Sequence, residues 1–226
     1  MRIQRATLEN CNTATGTVVV IDVIRAFTTA AFAFAAGARD TILVGEVEEA
    51  LALRKRFTGA LVMGEVNGVQ PESFDLGNSP SALFGRDLTG RRIIQRTSAG
   101  TQGVVRCTQA EALLTSSFVC AGATMRYLQK RHPASVTFVI TGAGLSADGD
   151  EDAACADYVA ALLRGKAPDV APFLQRVRNS TDGRFFAEVP PRFPMSDLDC
   201  CLDVDRFDFA MVVERRDSLL VMQAVR

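Results

Sequence analysis

Asp22 and Arg25 stand together at the end of an apolar run, Val18 to Val23. A carboxylate there can hold a metal ion, and a guanidinium can fork onto a phosphate or a carboxylate. Three further groups follow other apolar runs: Glu65 with Asn67, Arg96 to Thr101, and the glycine-rich, acidic stretch Gly142 to Asp152. In R-T-S-A-G-T, Thr97, Ser98, Gly100 and Thr101 bring hydroxyls and a glycine to a point where a strand becomes a helix. Backbone N–H groups at such a start bind anions. The acids from Asp148 to Asp152 also open a helix, where negative charge is favourable without any ligand. The sharper alternative is that Glu151 or Asp152 joins Asp22 around Mg²⁺, which takes hard oxygen ligands and usually one or two carboxylates.

These residues need elements to position them. Val18–Val23 is β-branched and precedes Ala-rich helical sequence, as a buried parallel strand does. Strand signals recur at 41–44, 61–63, 92–95, 117–120, 136–141, 207–213 and 219–225. Helix signals lie between them at 28–36, 47–57, 100–111, 124–131, 151–163 and 172–178, with a further helix starting at Pro80 behind Ser79 or Asn78 as cap. The helix over 47–57 carries Glu48 and Glu49 early and Arg54, Lys55 and Arg56 late, which suits the macrodipole. Such alternation predicts a three-layer α/β/α fold with a mostly parallel central sheet. In such sheets ligands bind at the carboxyl ends of the strands, so the four polar loops are expected to meet on one rim. The irregular loop Gly64–Pro80 is long for a compact domain, which points to function. The rival is an ordinary loop with Asx-turns.

The totals narrow the function class. The 226 residues are read as one α/β domain, or two closely packed lobes. A net charge of -1 gives no argument for nucleic acid or an anionic membrane. The Ala/Phe-rich stretch Ala30–Ala36 is too short to span a bilayer, and the first ten residues lack a signal-peptide core. A cytoplasmic protein with reduced thiols is expected. The six cysteines include no C-x-x-C, and His132 is the sole histidine, which removes the common zinc patterns.

Three motifs carry less than their letters suggest. Gly142–Ala147 matches the dinucleotide fingerprint in its Ala-ended form, yet four acids follow where a pyrophosphate would sit. Cys120 to Arg126 has the spacing of a thiol-phosphatase loop, but Val119 stands where its histidine belongs, and Cys200 to Arg206 repeats the spacing. Asp203 and Asp205 form D-x-D without a convincing buried strand before them. After Asp22, position 24 is Ile, so the paired-aspartate phosphatase motif is absent.

The segments I-D-V-I-R-A, G-E-V-N-G, F-D-L-G-N-S-P, R-T-S-A-G-T and E-D-A-A-C-A occur in this order. In this they resemble the 2-phosphosulfolactate phosphatase family, over roughly residues 17 to 165. The resemblance implies a homo-oligomeric, Mg²⁺-dependent enzyme that hydrolyses a phosphate ester of sulfolactate on the way to coenzyme M. It implies a small-molecule phosphomonoester as partner. By it, Asp22, Arg25 and Glu65 are the catalytic candidates, and Asp22, Asp75, Glu151 and Asp152 the metal candidates. Asn67, Asn78, Ser79, Thr97, Ser98, Gly100 and Thr101 are the candidates for substrate binding. Arg25 would stabilise the phosphoryl oxygens; Glu65 would activate water or hold the metal. Val66 stands where the family usually has Arg, and Ala99 where it has Asn. Each loses a polar group that could hold an anion. Two other readings stay open: a non-catalytic binder of small phospho-acids, and a nucleotide-dependent enzyme using Gly142–Ala147.

Overall fold

A strand that must bury both faces needs apolar residues on both, and Gly16–Ile21 (β2) has them. Val18 and Val20 enter one cluster, with the Ala/Phe-rich helix Ala26–Ala35 (α1) and with Val104 of Gly100–Arg106 (α3). Val19 and Ile21 enter the other, with Ala121–Arg131 (α4) and Asp150–Leu163 (α5). Helices thus cover both sides of the sheet, as the three-layer expectation requires. The structure, a computed structural model, describes residues 1–144, 147–188 and 193–226.

The remaining strands are Arg2–Thr7 (β1), Asp40–Val44 (β3), Leu61–Gly64 (β4), Arg92–Arg96 (β5), Ala110–Ser116 (β6), Ser135–Ile140 (β7), Ala210–Arg216 (β10) and Leu219–Val225 (β11). Two-residue strands Ala143–Gly144 (β8) and Ala147–Asp148 (β9) form a separate ribbon. The other helices are Val47–Arg56 (α2), Ala171–Asn179 (α6), Thr181–Glu188 (α7) and Met195–Cys201 (α8). The nine-stranded sheet has the order β1-β7-β2-β6-β10-β11-β3-β5-β4. Five of its strand pairs are parallel. The hairpin β10–β11 enters the middle of the sheet antiparallel to β6 on one side and β3 on the other. It joins two parallel halves that run in opposite senses. Strand twist of about 20–25° per step accumulates across the hairpin and turns one half relative to the other.

Several sequence expectations need correction. The strand expected at 117–120 lies earlier, at Ala110–Ser116, and the helix expected to reach 111 stops at Arg106. The A-E-A-L-L letters favour a helix, but Leu113 and Leu114 fill a slot between β2 and β10, and packing overrides propensity. Residues 118–120 form a single 3₁₀ turn. After Pro80 the chain makes only another such turn, Ser81–Leu83. The penultimate strand begins at Ala210 rather than Phe207. Strand β1 was not expected: R-I-Q-R-A-T is too polar to read as sheet, and it sits on an edge beside β7. Helices α7 and α8 were read as loop. Cys200 and Cys201 lie buried at the end of α8. Among the described residues no helix is long and apolar enough to cross a membrane.

Candidate active site

Asp22 follows β2 directly, and its carboxylate is buried. Its Oδ1 accepts the Ala26 amide at 2.8 Å, and its Oδ2 lies close against Gly100, the first residue of α3. One acid thus bonds the start of α1 and packs against the start of α3. A Cβ on Gly100 would stand 2.7 Å from both Asp22 Oδ2 and the Ala26 methyl, so only glycine permits this approach. Burial pushes the Asp22 carboxyl up to about 7, against the pull of the Ala26 amide and helped by the charges of Glu65 and Asp182.

Glu151 and Asp152 open α5, and both are buried. Their roles diverge. Asp152 accepts four bonds: Val23 N at 2.8 Å on Oδ1, and Thr141 N at 3.1 Å, Thr141 Oγ1 at 3.2 Å and Gly142 N at 2.9 Å on Oδ2. It ties the ends of β2 and β7 to α5 and has little capacity left for a metal. Burial, then Glu151 and Asp22, push it well above the usual carboxylate range while the amides pull against them. Glu151 is the opposite case: its Oε2 is buried with no hydrogen-bond partner among the described residues. Burial and the charge of Asp182 raise it to about 8, with Asp22 adding to the effect. A Cβ on Gly142 would collide with Glu151 Oε1, so the first glycine of the fingerprint serves as a cradle for a carboxylate. Leu145 and Ser146 of that fingerprint lie outside the described residues.

Glu65 is placed otherwise than expected. Its carboxylate accepts Ser98 N at 2.5 Å, Ser98 Oγ at 3.0 Å and Gly68 N at 2.6 Å. It clamps the loop after β4 to the turn after β5. A carboxylate so engaged is a poor base or metal ligand. Gly64 allows the clamp: at φ 138° it runs so close to the Arg96 carbonyl that a Cβ would overlap it. Asn67, in the left-handed region at φ 50°, donates its amide to Ser98 Oγ at 2.8 Å. Thr97 and Thr101 form a closed pair, each backbone amide donating to the other's hydroxyl at 2.8 and 3.0 Å. Their hydroxyls shape the turn and are not aimed outward.

Arg25 was expected to meet an anion. Its Nη1 instead donates at 2.6 Å to Asp197 of α8, which is fully buried. Asp197 Oδ1 also accepts Ser79 Oγ, Ser81 N and Ser81 Oγ, at 2.8, 3.0 and 2.5 Å. The Arg25 guanidinium lies 4.9 Å from the Phe193 ring centre and 5.7 Å from that of Phe186. Ser79 thus anchors the loop through Asp197. Asn78 is buried, with an Oδ1 that has no partner among the described residues. Asp75 accepts Val62 N at 2.8 Å and faces Arg54 of α2, which makes it a loop anchor rather than a metal candidate.

Sequence reasoning missed Asp182 and Asp197. Asp182 falls in a stretch read as loop, with no motif around it. The one available signal for Asp197 was its place in D-L-D-C-C-L, an acid at helical spacing among apolar residues. Among the described residues no three acidic, His or Cys side chains stand close enough to chelate one ion. The site is instead a loose group of buried carboxylates, with Arg25 and Arg96 both engaged at its side.

Comparison with known proteins fits this geometry. A family model described as 2-phosphosulpholactate phosphatase matches residues 3–216. A "Probable 2-phosphosulfolactate phosphatase" of Bacillus subtilis (strain 168) is 32% identical over 209 residues, 92% of this chain and 91% of the relative. A protein of the same printed name from Carboxydothermus hydrogenoformans is 40% identical over 147 residues, 65% of this chain and 60% of the relative. Another, from Synechocystis, is 35% identical over 155 residues, 67% and 63% of the two chains. The chain belongs to the 2-phosphosulpholactate phosphatase family.

Proposed function

We propose that this protein hydrolyses the phosphate ester of a small phosphorylated hydroxy acid, with 2-phosphosulfolactate the first candidate, and that Asp22 and Glu151 hold Mg²⁺ while it does so. Family membership supports the reaction class. The observation that carries the site is the buried, unpartnered Glu151 Oε2 beside a second buried carboxylate whose proton affinity is raised. Like charges kept together out of water need a cation or protons. The donors are hard oxygens, and two carboxylates with water and substrate phosphate are a set that Mg²⁺ accepts. Bound there, the ion would neutralise charge on the transferring phosphoryl group.

The protein's own residues supply the rest. Asp22 is held by the Ala26 amide at the start of α1 and wedged against Gly100, so it cannot swing away. Asp197 and Phe193 fix the Arg25 guanidinium, whose Nε and Nη2 have no hydrogen-bond partner among the described residues and would meet the anion. Asn78 offers its buried amide. Val66 and Ala99 line no such donors, so contacts to the acid group of the substrate are fewer on that side.

Phosphate release from 2-phosphosulfolactate and from phospholactate, with Mg²⁺ or with EDTA, tests the reading. Turnover should need Mg²⁺ and fall at least about a hundredfold in Asp22→Asn, the scale on which a lost acid or base acts. A folded wild-type protein that releases no phosphate from either substrate refutes it.

A further inference from the structure

We propose a second anion site, at the opposite ends of the strands that carry Glu65 and Thr97, built to take a small phosphate-bearing molecule. Asp40, Arg92 and Leu61 begin β3, β5 and β4, and a cavity of about 420 Å³ opens beside these starts. Arg39, Arg56, Arg91 and Arg92 line it, with Phe57 and the turn Thr58–Ala60. Its volume falls in the range of small-molecule sites, roughly 300–1,000 Å³. β5 separates it from the Thr97 turn by five residues, or about 16 Å of strand.

The charges there are unbalanced. Among the described residues Asp40 is the one acid paired with these arginines: Arg92 forks onto it at 2.7 Å twice, and Arg39 Nε reaches it at 3.3 Å. Among the described residues Arg56 and Arg91 make no ion pair. A guanidinium cannot shed its proton, so four cations face one carboxylate in a protein whose net charge is -1.

The forks are also pre-set. The Arg56 and Arg92 guanidiniums lie 5.1 and 4.5 Å from the Phe57 ring centre. Stacking fixes the plane of the Arg56 guanidinium and leaves its edge N–H groups to donate, while Arg92, whose Nε and Nη2 are held by Asp40, keeps Nη1 for a ligand. Arg39 N donates to Arg91 O at 2.8 Å, which holds the two arginine-bearing segments side by side. Planar donors converging on a cavity are what phosphate oxygens bind bidentately. A half-open pocket of this size suits a small molecule.

Calorimetric titration with inorganic pyrophosphate, at low salt and without divalent ions, tests the site. The intact wild-type chain is compared with Arg56→Gln/Arg91→Gln and Arg56→Lys/Arg91→Lys. Both positions are exposed, and circular dichroism checks that the variants fold. Wild type should bind, the Gln pair should weaken binding about tenfold or more, and the Lys pair should restore it only in part, because lysine keeps the charge and loses the fork. No binding by wild type, equal binding by the Gln pair, or full affinity in the Lys pair each overturns the proposal. None of these readouts depends on phosphatase activity.

Discussion

At the residue scale, a carboxylate's hydrogen bonds decide its role better than its neighbours in sequence do. Glu151 and Asp152 are adjacent, yet one has an oxygen with no partner and the other accepts four bonds. Glu65, Asp75 and Asp197 spend their oxygens on the chain itself, while Asp22 spends Oδ1 on the start of α1. These differences were not legible in the sequence, because each depends on contacts made across long stretches of chain. Asp197 meets Arg25 across 172 positions. What could be read was the type of residue at each strand end and the resemblance of the ordered segments. Asp197 also yields a direct prediction. Asp197→Ala would leave the Arg25 charge buried and unpaired, which costs about 3–5 kcal/mol. Urea unfolding should register that loss. A cost below about 1 kcal/mol would mean that Arg25 finds water or another partner.

At the element scale, the strands with β-branched cores were legible and the short C-terminal helices were not. β2, β3 and β5 read correctly because Val and Ile declare a buried strand. β6 did not, since Ala, Glu and Leu are helix formers held in the sheet by neighbours on both sides. Helices α7 and α8 hide among Pro, Asp and Arg residues, and what justifies them is the packing of Phe186 and Leu198 in the second core cluster. The junction of α1 and α3 is the most demanding of these contacts. Gly100→Ala would press a methyl against Ala26 and Asp22 at once. Overpacking of this kind costs about 1–3 kcal/mol, and it would push Asp22 out of place. The variant should lose more turnover than its thermal midpoint alone explains, which assays well below the melting range would reveal.

At the scale of the whole molecule, buried acids couple stability to pH. Asp22 and Glu151 hold their protons up to about 7 and 8 in the fold, against 3.8 and 4.5 as reference values. The unfolded chain loses those protons first. Their contribution is therefore fully present below about pH 4 and is lost as pH rises through about 8. Melting without divalent ions should show that decline. Mg²⁺ should reverse it, most strongly at the alkaline end, with release of protons on binding. Glu151→Gln should flatten the decline and remove most of the Mg²⁺ response; an unchanged response would place the ion elsewhere. The hairpin β10–β11 has a consequence of another kind. It is the seam of the sheet, and it is made after both of the strands it joins. Until residues 210–225 emerge, β6 and β3 each present an open edge, so a nascent chain holds two half-sheets that cannot yet join. Edges of that sort are where chains pair with the wrong partner. The same piece that closes the sheet thus sets how long its two halves stay exposed to aggregation.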